Sequence, residues 1–251
     1  MKYGLHFTAA ALASVVGSVA ASPTPPYITA AISDKSRPAE DTARDAGRKP
    51  AEMLVFAGIK PGDKIIELVP GKGYFTRIFA KAVGPSGHVY AFLPTELDAM
   101  MQKHNMPIPS GTDASNPNVS FMHQSLTAIS VTEPVDIVWT SQNYHDMHDS
   151  FMGPPDISKV NAAIYRALKP GGTYVVLDHA AEAGSGLRDT DTLHRIDPDA
   201  VKKEVTAAGF VFVGEDSTLR NPADPHTKNV FDPSIRGKTD QFVFKFRKPA
   251  N

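Results

Sequence analysis

The sequence predicts an α/β protein built on a doubly wound, mostly parallel sheet of seven strands, with an antiparallel pair at one edge. Three observations lead there. Short apolar runs alternate with amphipathic stretches from residue 64 to about residue 209, and strands joined through helices lie parallel. Glycine and proline punctuate the joints, at Lys60-Pro61-Gly62-Asp63, at "GPSG" (Gly84 to Gly87) and at Lys169-Pro170-Gly171-Gly172. The last two β-rich runs, "FVFVGED" and "QFVFKFR", are separated by a proline-containing loop instead of a helix, which makes them antiparallel neighbours.

The elements follow in order. Residues 1–21 carry a basic start at Lys2, an apolar alanine-rich run and small residues at Val19 and Ala21, the pattern of a cleaved signal peptide. The run is too short for a stable membrane span, so export to the periplasm or the medium is expected. Residues 22–37 are proline-rich and read as a flexible arm, and residues 38–251 as a single domain. Arg44 and Arg48, four apart, are expected on one helix face, and Pro50 opens a helix that buries Met53, Leu54 and Phe56. Strands are expected at Lys64–Val69, His88–Leu93, Val119–His123, Val135–Thr140 and Thr173–Leu177. Helices are expected at Tyr74–Val83, from Ile157 to Leu168 with apolar spacings of three and four, and at Asp199–Ala208. Met101–Asn118 is polar and rich in turn formers, as in a surface loop or lid.

Composition excludes several classes. With 251 residues, 41% of them hydrophobic, the chain can bury one sizeable core. Its formal net charge of -1 supplies no basic field for nucleic acid. It has no cysteine, which removes disulfides, thiolate metal ligands and a cysteine nucleophile.

The stretch "KIIELVPGKGYFTRIFA" (residues 64–80) places a glycine turn between a strand and a helix, where open sheets of this kind bind ligands. A phosphate-binding Walker loop needs Gly-Lys-Ser/Thr, and here Lys72 is followed by Gly73. A dinucleotide loop needs a third glycine where Thr76 stands, and an acid at the end of the second strand where Leu93 stands. The remaining pattern is Glu67, then Pro70, Gly71, Gly73 and Tyr74. It resembles motif I of the class I S-adenosylmethionine-dependent methyltransferases, which are Rossmann-like. "ALKPGGTYVVLDH", "AAGF" and "TDQFVFKFRKP" extend the resemblance over about residues 50 to 248.

The resemblance implies S-adenosyl-L-methionine as cofactor, with Glu67, Pro70, Gly71, Gly73 and Tyr74 around its methionine part and ribose. Two positions depart from the family, Val69 where glycine is common and Leu93 where an acid takes the ribose hydroxyls. Either Glu96, three residues beyond Leu93, takes the ribose instead or water and backbone hold it, and Gln124 and Ser125 are expected near the adenine. The acceptor side falls on "SQNYHDMH" (residues 141–148). Asn143 is expected to line the cofactor and Tyr144 the pocket, with His145 as general base. Asp178 and His179 end the fifth strand, and His194 follows in a loop that could close over the crevice. The histidines together with Asp146, Asp149 and Asp178 are compatible with a metal. They do not reproduce the ligand pattern of the divalent-ion O-methyltransferases, so no metal is assigned. The expected function is methyl transfer to a small molecule. A non-transferring exported binding protein and a metal-assisted hydrolase are the alternatives.

Overall fold

The computed structural model describes residues 23–108, 111–113 and 115–250; the expected signal segment lies outside them. The helices are α1 (Pro26–Ile32), α2 (Ala39–Thr42), α3 (Asp45–Arg48), α4 (Pro50–Ala57), α5 (Tyr74–Val83), α6 (Asp98–Lys103), α7 (Ile157–Ala167), α8 (Thr190–Leu193) and α9 (Pro198–Ala207). The strands are β1 (Lys64–Leu68), β2 (His88–Pro94), β3 (Gly111–Thr112), β4 (Val119–Gln124), β5 (Val135–Ser141), β6 (Leu168–His179), β7 (Val211–Asp216) and β8 (Gln241–Arg247).

The sheet order is β3-β4-β2-β1-β5-β6-β8-β7. From β4 to β6 every neighbouring pair is parallel, while β8 runs antiparallel to both β6 and β7. The seven expected strands are therefore present, with the antiparallel pair at one edge and β8 one place in from it. The two-residue β3 is an addition. It pairs antiparallel with β4 and fastens part of the expected Met101–Asn118 loop to the opposite edge.

Strand alternation divides the core into two layers. Ile65 and Trp139 face one way, toward α1, α4 and α5; Ile66, Leu68 and Val138 face the other, toward α7 and α9. Trp139 packs against Phe75 and Phe79 at ring-centroid distances of 4.9 and 5.4 Å. That contact fixes α5, and with it the glycine turn, over the middle of the sheet.

Two expectations upstream need correction. Part of the supposed flexible arm is α1, which docks by burying Ile28 and Ala31 between α4 and α5. Its prolines sit just ahead of the helix and at its first position, where no amide donor is missed. The segment with Arg44 and Arg48 is not one helix but two single turns, α2 and α3. Lys49 adopts a left-handed φ of 48° before Pro50, whose ring disfavours helical backbone in the preceding residue.

Candidate functional site

The chain leaves β1 for β2 on one side, and β5 later takes the other, so strand order reverses between β1 and β5. The turn after β1 is left-handed at three places: Val69 (φ 51°), Gly71 (56°) and Gly73 (77°). A left-handed residue with a side chain costs about 1–2 kcal/mol, more readily tolerated by glycine than by a β-branched residue. Val69 thus stands at a position whose geometry favours glycine. After β5, Gln142 is left-handed as well (φ 62°). Asn143 stitches the two strand ends, its Nδ2 donating to Ser141 O (2.5 Å) and Val69 O (3.4 Å). Strained backbone held by its surroundings at a topological switch point marks a site.

The turn is open above. A Cβ built on Gly71 meets nothing within 4 Å, and no side chain caps the N-terminus of α5. Beneath it, Glu67 is buried and, among the described residues, accepts one hydrogen bond, from Thr76 Oγ1 (2.5 Å). Burial pushes its carboxyl up to about 8, against the pull of Thr76, Arg48 and Arg77. Tyr74, expected at the cofactor, is turned away beneath the N-terminal segment. Its hydroxyl donates to Asp45 (2.6 Å), and Arg37, Arg44 and Arg48 lie over its ring.

A cleft of about 570 Å³ opens beside the turn, between the α2–α3 segment and the loop before β8. Arg44, Arg48, Lys72 and Arg236 line it with Gln142, His179, Phe231 and Gln241, and no carboxylate does. Arg48 donates to Gln142 Oε1 (3.1 Å), and Gln142 Nε2 donates to Gln241 Oε1 (3.0 Å). Burial brings the guanidinium of Arg48 down to about 10, so it stays charged at neutral pH. None of the four cations has an ion-pair partner among the described residues.

On the β2 side the expectations fare less well. Glu96 and Ser125 do meet, but Glu96 accepts from Ser125 Oγ (2.7 Å) and the Leu126 amide (3.0 Å), capping the turn after β4. It is not free for ribose hydroxyls. Gln124 is engaged with the backbone of Ser130 through both ends of its amide, which removes it from any adenine pocket.

The knot after β5 is rearranged too. Tyr144 is fully buried; its hydroxyl donates to Glu204 (3.0 Å) and accepts from Asn161 (2.9 Å), a core contact and not a pocket wall. Asp178, also fully buried, accepts from the His145 and His179 amides (2.8 and 2.7 Å) and pairs with His145 Nδ1 (2.8 Å). It ties β6 to the segment after β5 and does not face the crevice.

His145 Nε2 lies 3.1 Å from Asp146. Burial works against its charge, but Asp178 and Asp146 outweigh that and raise it to about 10. With both ring nitrogens held by carboxylates and the ring protonated, His145 has no lone pair to act as the expected base. The two expected loop and strand-end histidines divide. His179 lines the cleft, its Nδ1 paired with Thr239 Oγ1 (2.8 Å), and burial lowers it to about 4, so it is neutral at neutral pH. His194, left-handed at the end of α8, turns instead toward Asp146 and Asp149.

Sequence reasoning missed Gln142, Gln241, Lys72, Phe231 and Arg236. Gln142 lies in the segment expected on the acceptor side, and Lys72 lies inside the glycine turn. The others arrive from the loop between β7 and β8 and from the start of β8, with no local pattern to reveal them.

No protein-family model matches the chain. It is 26% identical over 139 residues to the ubiquinone/menaquinone biosynthesis C-methyltransferase UbiE of Pseudomonas paraeruginosa, covering 53% of this chain and 48% of that protein. The UbiE of Burkholderia vietnamiensis is 27% identical over 131 residues, with 51% and 48% covered. The chain thus spans about half the length of these curated relatives. Among solved structures, a SAM-dependent methyltransferase from Aquifex aeolicus aligns with TM-score 0.55 at 18% identity, over 85% of this chain and all of that one. The N-methyltransferase NodS from Bradyrhizobium japonicum gives 0.52 at 14%, over 84% and 99%. The [4+2]-cyclase SpnF gives 0.52 at 16%, over 87% and 86%. The fold is that of the class I S-adenosylmethionine-dependent methyltransferases. The curated relatives are methyltransferases as well.

Proposed function

We propose that this chain is an S-adenosylmethionine-dependent methyltransferase acting on a small acceptor that carries negative charge. The observation that carries the reading is the open left-handed turn from Val69 to Gly73 at the switch point, flanked by a cleft whose charged lining is wholly cationic. The fit to the cofactor is good on the turn side. Gly71 leaves room for close backbone approach, Gly73 supplies the left-handed bend into α5, and buried Glu67 lies on the strand just before the turn. It is poorer on the ribose side, where Leu93 replaces the acid and Glu96 is engaged.

When bound, S-adenosylmethionine supplies an electrophilic methyl group on a sulfonium. The chain's residues do the rest. Gly71, Gly73 and Asn143 shape the cradle, and Arg44, Arg48, Lys72 and Arg236 draw an anionic acceptor into the cleft and orient it, the main source of acceleration in a displacement. His179, neutral and with Nε2 unpaired among the described residues, can take a hydrogen bond from an acceptor hydroxyl or amine. Calorimetry with S-adenosylmethionine and S-adenosylhomocysteine tests the binding, and transfer of labelled methyl to small carboxylates and phosphates tests the reaction. No heat at millimolar ligand would remove the proposal.

A second reading, a non-transferring ligand-binding protein, is favoured by Val69, Leu93 and the engaged Glu96. Heat with S-adenosylhomocysteine but no transfer to any acceptor selects it. Export belongs to the proposal too, supported by the leader-like residues 1–21. Mass spectrometry of the protein from the periplasm or medium should find a chain beginning near residue 22, and an intact chain confined to the cytosol would refute export.

A further inference from the structure

Next to His179, His145, Asp146, Asp149 and His194 each offer one donor atom, and the four atoms lie within 4.8 Å of one another. The 3-10 turn His145–His148 and the residue after it bring three of these side chains together, and the left-handed end of α8 adds the fourth. Asp149 is fully buried, yet neither of its oxygens has a hydrogen-bond partner among the described residues. The Thr190 hydroxyl is near enough to pull on the Asp149 carboxyl against the effect of burial, but its own hydrogen bond goes to Leu187 O (3.3 Å). His194 Nδ1, at 3.6 Å from one Asp149 oxygen, is too far for a hydrogen bond. A buried carboxylate with no donor calls for a cation.

Charge points the same way. Asp146, Asp149 and Asp178 converge here, and no lysine or arginine pairs with any of them among the described residues. His145 is held as ligand imidazoles usually are: Nδ1 is fixed by buried Asp178 at 2.8 Å, which aims Nε2 at the cluster. The separations of 3.1 Å for His145–Asp146, 3.6 Å for His194–Asp149 and 3.8 Å for His194–Asp146 bracket the edge of a small coordination tetrahedron. For metal–ligand bonds of about 2.0–2.2 Å that edge is about 3.3–3.6 Å.

We infer that these four side chains form a binding site for a divalent transition ion of the zinc class, with two imidazoles and two carboxylates as ligands. Two nitrogens and few, closely spaced oxygens suit zinc over magnesium or calcium, which take six or more oxygens. On binding, the ion replaces the proton between His145 and Asp146, which is released to solvent. The site adjoins the cleft through two ring contacts. His194 packs on cleft-lining Phe231 at 5.1 Å, and His145 lies 6.2 Å from His179. The inference does not depend on methyl transfer and is tested without S-adenosylmethionine.

The test uses the full chain without a histidine tag, stripped with chelator and dialysed against micromolar Zn²⁺, with bound metal counted by mass spectrometry. About one equivalent is expected, with Asp149→Asn and His194→Ala each falling below a tenth. His226→Ala, in a separate pair with Asp240, should keep the full equivalent. Thermal melting gives a second measurement. Zn²⁺ should raise the midpoint of the wild type and leave that of His194→Ala unmoved, a variant whose partly exposed side chain lets it fold. Less than a tenth of an equivalent on the wild type, retention by His194→Ala, or loss in His226→Ala would overturn the site.

Discussion

Replacing Glu67 with glutamine separates what the fold tolerates from what a ligand needs. The carboxyl is buried against α5 with Thr76 as its one hydrogen-bond donor, and burial raises it from 4.5 to about 8. A group raised in the folded state contributes stability that is fully present below its unfolded value and is lost as pH climbs to the folded one. Folding should therefore weaken between about pH 4.5 and pH 8. Each pH unit across that window is about 1.4 kcal/mol, and the change between pH 5 and pH 8 is about 3 kcal/mol. Glutamine keeps the shape and cannot ionise. In urea unfolding of the ligand-free protein, Glu67→Gln should match the wild type near pH 5 and exceed it by about 3 kcal/mol at pH 8. Saturating S-adenosylmethionine should stabilise the wild type at pH 8 and the variant far less. Parallel curves for the two proteins from pH 5 to pH 8 would refute the buried-carboxyl argument, and equal ligand stabilisation would refute a role for Glu67 in binding.

The glycine turn gives an opposed pair. Val69→Gly relieves a β-branched residue at φ 51° and should raise stability by about 0.5–1 kcal/mol after the added unfolded-state entropy, read as a higher melting temperature. Gly71→Val should lower stability by about 1–2 kcal/mol and, by filling the open space above the turn, abolish calorimetric binding of S-adenosylhomocysteine. Asp178→Asn sets an amide against donors at His145 and His179 and should cost about 3–5 kcal/mol in urea unfolding; a loss under 1 kcal/mol would contradict its place as the anchor. Charge reversal at the exposed Lys72 and Arg236 should raise KM for an anionic acceptor about tenfold at low salt with kcat less affected, and the difference should shrink near 1 M salt.

Local physics made much of the fold legible. Buried β1, its glycine turn and the amphipathic Tyr74–Val83 helix were readable because each satisfies its own period and its own turn chemistry. The antiparallel end of the sheet was readable because no helix separates β7 from β8. The site was less so. Tyr74 and Tyr144 are aromatic residues next to a binding turn, but whether such a ring lines a pocket or closes a core depends on partners such as Asp45, Glu204 and Asn161, 17 to 60 positions away. His145 is where a base would stand, yet its proton affinity is set by Asp178, 33 residues on.

The sequence by itself determined the seven main strands and the helices between the parallel ones, the place of the ligand turn and the backbone freedom there, because these follow from short-range periodicity and from glycine's lack of a side chain. Only the tertiary structure decided which polar groups face the cleft, which are spent on holding strand ends together, and that Asp149 lies buried without a donor beside two histidines. Burial and long-range pairing shift the proton affinities of Glu67, His145 and His179, and both arise when segments far apart in the chain are packed against each other.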